Sequence, residues 1–184
     1  KFYKELEFMP VRQNAMMFGT LVHETIEDVH RAAIRDEVDL ITKDNISSWF
    51  ESNYNSLVKS EHTYLAEPQR NAALNQVIRY AERMNGKWSS IQQAEVDVSL
   101  VKEDYIIDGK IDLVKGVDGT VEIVDFKSEK KPDMERMRNR IEHYRRQLQI
   151  YAYLIEQRTG QKVSKMHLYY TAEENGNPMI SFPY

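Results

Sequence analysis

Asp112 and Asp125 stand thirteen residues apart, in Gly109-Lys110-Ile111-Asp112 and Val124-Asp125-Phe126-Lys127. The second string closes a run from Val121 to Lys127 whose apolar and polar residues suit a buried strand. A strand turns residues i and i+2 to one face, so Asp125 and Lys127 point the same way. Burying a carboxylate beside an ammonium costs free energy unless something compensates the pair. A divalent cation would be one compensation, and a phosphate another. Taken alone, D-x-K also describes a surface pair with no chemistry.

The first string supplies a second carboxylate. Residues 105–115 and 120–127 flank Gly116-Val117-Asp118-Gly119, a loop rich in residues that turn hairpins. Pairing Lys115 with Thr120 sets Asp112 opposite Ile123 and diagonal to Asp125, with backbones roughly 7–8 Å apart. That register gathers both aspartates and Lys127 on one surface, close enough for two carboxylates to share one metal ion. A slip of one residue would undo it.

The elements that must hold these groups read as follows. Helices are predicted over about Ala15–Arg35, 43–59 and 66–87, then strands at 93–101, 104–115 and 120–127. A long helix over Met134–Thr159, a strand over Val163–Thr171 and a short strand over Met179–Phe182 complete the chain. The expected fold is α/β, a mixed central sheet flanked by helices with an N-terminal helical segment. The 184 residues suit one domain spanning 1–184, and the start at Lys1 predicts a piece cut from a longer protein. Hydrophobic content of 41% and charged content of 29% fit a globular chain, with no apolar run of the roughly 18–20 residues that a bilayer requires and no signal-peptide pattern.

Other chemistries fit poorly. There is no cysteine, which excludes disulfides, thiolate zinc sites and a cysteine-held iron–sulfur cluster. No G-x-x-x-x-G-K-[ST] loop is present to drive an ATP motor. His23-Glu24 invites an H-E-x-x-H zinc reading, but position 27 is Glu27. Net charge is −4, yet Lys127–Arg146 holds eight basic residues against four acidic, a local excess suited to phosphate contacts.

Four short motifs occur in order: Gly19/His23, Gly109/Asp112, Asp125/Lys127 and Gln147/Tyr151. In that order and on those elements, the chain resembles the RecB-like branch of the PD-(D/E)XK nucleases, over about Ala15–Thr171. The resemblance implies a restriction-endonuclease-like core and a metal-dependent deoxyribonuclease. Lacking cysteine, the chain looks most like the cluster-free nuclease domains at the C-termini of RecB and UvrD-like helicases. By that likeness it would act on single-stranded or unwound DNA beside a helicase motor, in DNA repair, recombination or end processing. It would be cytoplasmic, and nucleoid-associated if bacterial.

The same resemblance assigns residues. His23 joins Asp112, Asp125 and the backbone carbonyl of Phe126 around magnesium or manganese, a largely oxygen donor set that suits both. Lys127 positions the attacking water or neutralises the scissile phosphate. Gln147 and Tyr151, four apart and so on one helix face, meet the DNA strand with Arg145 and Arg146 nearby. Glu95 matches an acidic position often seen in the family. The competing class is a catalytically inactive nucleic-acid-binding or scaffolding relative, which has no physical reason to keep two carboxylates facing a lysine.

Overall fold

The computed structural model describes the backbone of residues 2–101, 103–104 and 106–184, and the side chains of 13–99, 101, 103–104, 106 and 109–184. The chain divides into two compact units, one ending at Asn85 and one running from Gly86 to Tyr184.

The first unit is helical: α1 (Phe2–Ile34), α2 (Lys43–Glu61) and α3 (Glu67–Met84). Thr42 caps α2, its hydroxyl accepting from the Asn45 N–H at 3.2 Å, and His62 ends it in the left-handed region at φ 51°. Val22, Ile26 and Val29 of α1, Phe50, Tyr54 and Leu57 of α2, and Ala73, Val77 and Tyr80 of α3 are buried. Their three- and four-residue spacing makes the apolar stripes that drive helix packing, each buried aliphatic side chain contributing about 1.5–3 kcal/mol. Inside this layer the His30 ring meets the Tyr80 hydroxyl at 2.6 Å. α1 starts well before the predicted Ala15. The earlier residues include the helix formers Lys4, Glu5, Leu6 and Glu7, and Pro10 is the one that argues against a helix there.

The second unit is a mixed sheet of β1 (Ile91–Val101), β2 (Ile106–Val117), β3 (Thr120–Lys127), β4 (Val163–Tyr170) and β5 (Met179–Pro183), side by side in that order. β3 and β4 are parallel, joined through α4 (Arg138–Thr159), and the other neighbours are antiparallel. Leu148, Ala152 and Ile155 of α4 share one apolar cluster with Val121 and Ile123 of β3 and Met166 and Leu168 of β4. α4 begins at Arg138 rather than Met134. The Asp133 carboxylate accepts from the Glu135 and Arg136 N–H groups at 2.9 and 3.0 Å, holding turns ahead of the helix. Gly160, at φ 71°, ends it.

β2 and β3 meet through Asp118-Gly119, both left-handed at φ 46° and 79°. Two such residues make the tight turn whose twist matches paired strands. Gly116 and Val117, predicted as loop, are instead paired with Val121 and Thr120. The register therefore differs by two residues from the predicted one, and Val114 rather than Asp112 faces Ile123. Because side chains alternate with period two, a slip of two leaves every residue on its expected face. The ladder closes with Leu113 opposite Val124, and the next position on each strand sets Asp112 against Asp125. Among the described residues no helix is long and apolar enough to cross a membrane.

Candidate active site

β2 and β3 bring Asp112, Asp125 and Lys127 together. The Lys127 ammonium lies 2.8 Å from Asp125 Oδ2, with both side chains about four-fifths buried at 22% and 20% exposure. Asp112 Oδ2 accepts the backbone N–H of Phe126 at 2.7 Å, so this carboxylate is pinned to the strand between Asp125 and Lys127. Burial raises the Asp125 carboxyl above the ordinary range, Lys127 pulls it back, and the neighbouring Asp112 raises it further. Burial opposes the charge on Lys127, but Asp125, Tyr144 and Asp112 outweigh it and hold the amine above its usual value. Lys127 is thus a fixed cation facing two crowded carboxylates. One ammonium against two such groups leaves negative charge that a further cation would balance. Among the described residues of this unit, no third Asp, Glu or His completes a metal cluster with the pair.

Tyr144, one turn before Gln147 on α4 and outside the four motifs, belongs to this group. The Lys127 ammonium sits 4.1 Å from its ring centroid, a cation–π contact. Arg140 donates through Nε to the Tyr144 hydroxyl at 3.1 Å and pairs with Glu129 at 2.9 Å. The signal was present in the sequence: residues 144, 147 and 151 recur at helical spacing.

The G-x-x-D strand and the Q-x-x-x-Y helix meet at one point. A Cβ on Gly109 would lie 2.8 Å from Cζ and 2.9 Å from the hydroxyl of Tyr151, and closer still to Cε1. Gly109 is needed here for space rather than for backbone freedom. Gln147 Nε2 donates to the Tyr151 hydroxyl at 2.8 Å and holds the ring against the strand. Gly109→Ala should therefore lower the thermal unfolding temperature, at a cost of about 1–3 kcal/mol for overpacking. In a Tyr151→Ala background the same change should cost less, since the clashing ring is gone. A Gly109→Ala protein that melts with wild type would refute this contact.

The remaining predicted residues stand as follows. Glu95 adopts φ 51°, an uncommon conformation for a residue with a side chain, and its carboxylate pairs with Lys110 at 2.8 Å. It lies between Ala94, paired with Leu113, and Val96, paired with Ile111, which places it alongside Asp112. Arg145 and Arg146 both turn to Glu142, at 3.4 and 3.7 Å. Lys130, Arg136 and Arg138 are exposed and make no ion pair among the described residues. In the helical unit, His23 Nδ1 lies 2.9 Å from the Gly19 carbonyl. A carbonyl only accepts, so Nδ1 carries a proton, and in the neutral ring Nε2 would hold the lone pair that a metal-ligating histidine uses. The Gly19/His23 spacing is thus a working contact within one helical turn. Glu27 is held by Arg31 one turn later.

The sequence profile described as the PD-(D/E)XK nuclease superfamily matches residues 2–180. No curated protein matches the sequence. Among solved structures, the chain is similar to that of a candidate exonuclease from Eubacterium rectale, at 17% identity and a TM-score of 0.48, covering 81% of this chain and 57% of that one. It is also similar to protein VC1899 from Vibrio cholerae, at 12% identity and a TM-score of 0.32, covering 86% of this chain and 47% of that one. The chain spans about half the length of these two proteins.

Proposed function

The chain belongs to the PD-(D/E)XK nuclease superfamily, and we propose that it is a magnesium- or manganese-dependent deoxyribonuclease domain that hydrolyses phosphodiester bonds. The observation that carries this reading is the juxtaposition of Asp112 and Asp125 on neighbouring strands with Lys127 bonded to the second. A structural ion pair needs one carboxylate. Two, half-neutralised and crowded, make a donor set for a hard divalent cation.

In this reading Asp112, Asp125 and the Phe126 carbonyl would hold the ion, and the motif order alone assigns His23 a ligand's role. When bound, such an ion lowers the pKa of a coordinated water and offsets charge on the reacting phosphate. The rest falls to the chain's own groups. The Phe126 N–H fixes the Asp112 carboxylate, so that ligand is oriented before anything binds. Lys127, kept protonated by its neighbours and unable to ligate a metal, offers its charge to the phosphate or positions the attacking water. Tyr144 limits the swing of the Lys127 chain. The Gln147/Tyr151 face and the arginines of α4 align a single-stranded or unwound DNA strand, in keeping with a helicase partner in repair or end processing.

Calorimetric titration with manganese tests the donor set. Wild type should bind, while Asp112→Ala and Asp125→Ala should each bind at least about tenfold more weakly, the loss that ligand-shell changes commonly bring. Equal binding in all three proteins would overturn the reading. DNA cleavage that persists in excess chelator would overturn it as well.

A further inference from the structure

Tyr170 closes β4 directly opposite Lys127 in the parallel ladder, so the two side chains share a face of the sheet. Its side chain is fully buried at 0% exposure, and its hydroxyl has no hydrogen-bond partner among the described residues. Buried hydroxyls are nearly always bonded, and an orphan one costs free energy that a packed core would be rid of by carrying phenylalanine. Its ring belongs to the apolar cluster shared with Met166 and Leu168, while charged groups of the site act on its hydroxyl. Burial first, then Glu129, Tyr144 and Asp125, push the phenol up to about 12 against the opposing pull of Arg140. The hydroxyl therefore stays protonated at any working pH, a donor without an acceptor among the described residues. Those same neighbours are linked to one another: Arg140 donates to Glu129 at 3.0 Å and to Tyr144 at 3.1 Å. Arg140 itself is exposed, and an exposed pair of this kind is weakly held in water. A phosphate competes well for a guanidinium, so Arg140 can exchange Glu129 for a phosphate that enters this group.

We infer that the Tyr170 hydroxyl is a hydrogen-bond donor for the substrate's phosphate, standing beside Lys127 in the cleavage site and left without a partner until DNA arrives. The inference rests on the nuclease reading above. An ammonium and a neutral hydroxyl side by side suit a phosphodiester, which offers several acceptor oxygens and gains charge on them as the bond to the leaving oxygen breaks.

The test compares wild type with Tyr170→Phe, which keeps the ring and its packing. Metal-free Tyr170→Phe should unfold at the same temperature as wild type or higher, because an unbonded hydroxyl has been removed from a buried place. In magnesium or manganese, kcat for DNA cleavage should fall about tenfold or more, as when one donor to a developing oxyanion is removed. KM should stay near wild type, since the bond strengthens as the reaction proceeds. A wild type that cuts beside a Tyr170→Phe that cuts equally well would overturn the inference and leave the nuclease reading standing. A clear drop in the metal-free unfolding temperature would also overturn it, by showing that the hydroxyl was already bonded in the resting protein. A wild type that cuts no DNA with either metal would overturn the nuclease reading itself.

Discussion

Replacing Lys127 by alanine should cut the rate of DNA cleavage by about 10²–10³-fold, the loss seen when one donor to a charge-developing oxygen is removed. Manganese binding should survive, because the ammonium competes with a metal for Asp125 rather than helping to hold it. Its pH dependence should move in a definite direction. Lys127 lowers the affinity of Asp125 for a proton, while burial and Asp112 raise it. Without Lys127 the carboxyl binds its proton more tightly, so protons compete with metal up to a higher pH. The midpoint of metal binding should then shift upward relative to wild type. Single-turnover cleavage and calorimetry across a pH series would measure both. A Lys127→Ala protein that cuts normally would remove this residue from the mechanism.

The second large effect concerns how DNA is held. Arg145 and Arg146 share Glu142, so each would give up an ion pair to reach a phosphate, whereas Lys130, Arg136 and Arg138 give up none among the described residues. Charge neutralisation of phosphate releases counterions, by about 0.7 per contact on single strands. Removing Lys130, Arg136 and Arg138 together should lower the steepness of the salt dependence by up to about 2, with affinity falling accordingly. Arg145→Ala/Arg146→Ala should lower it less. Binding measured in calcium, across a range of salt, separates the two. If the double arginine variant flattens the slope more than the triple one does, DNA runs along the Glu142 side of α4.

What could be read from the sequence follows from the range of each signal. Alternation of side chains is local, so the faces of Asp112, Asp125 and Lys127 were legible even though the turn was placed two residues off. Gly116 and Val117 look like loop by composition, and only the left-handed geometry of both Asp118 and Gly119 shows that the turn needs two residues. The helices α2, α3 and α4 were legible, but the start of α1 was not, because Pro10 reads as a break in a helical stretch. Contacts between distant segments were the least legible. The Tyr151 ring over Gly109 was visible only as two separate motifs. Likewise the diversion of Arg145 and Arg146 to Glu142 depends on side-chain reach rather than on charge counts. Tyr170 looked like any apolar residue of a buried strand, because nothing in sequence distinguishes a bonded hydroxyl from an orphan one.

The Asp118-Gly119 turn also bears on the order in which the chain folds. It joins β2 to β3 through near neighbours in sequence, whereas β3 reaches β4 only after the whole of α4 has crossed over. Closing a long connection costs more chain entropy than closing a short one, so the hairpin can zip before the parallel pair exists. Zipping begins at the turn, with Val117 against Thr120, and moves outward to Leu113 against Val124. Just beyond the last paired rung come Asp112 and Asp125, whose like charges repel. The hairpin thus reaches its two carboxylates last, from the stable end. Whatever neutralises them acts on a ribbon that is already in register, so closing the site does not depend on finding the right alignment of strands at that moment.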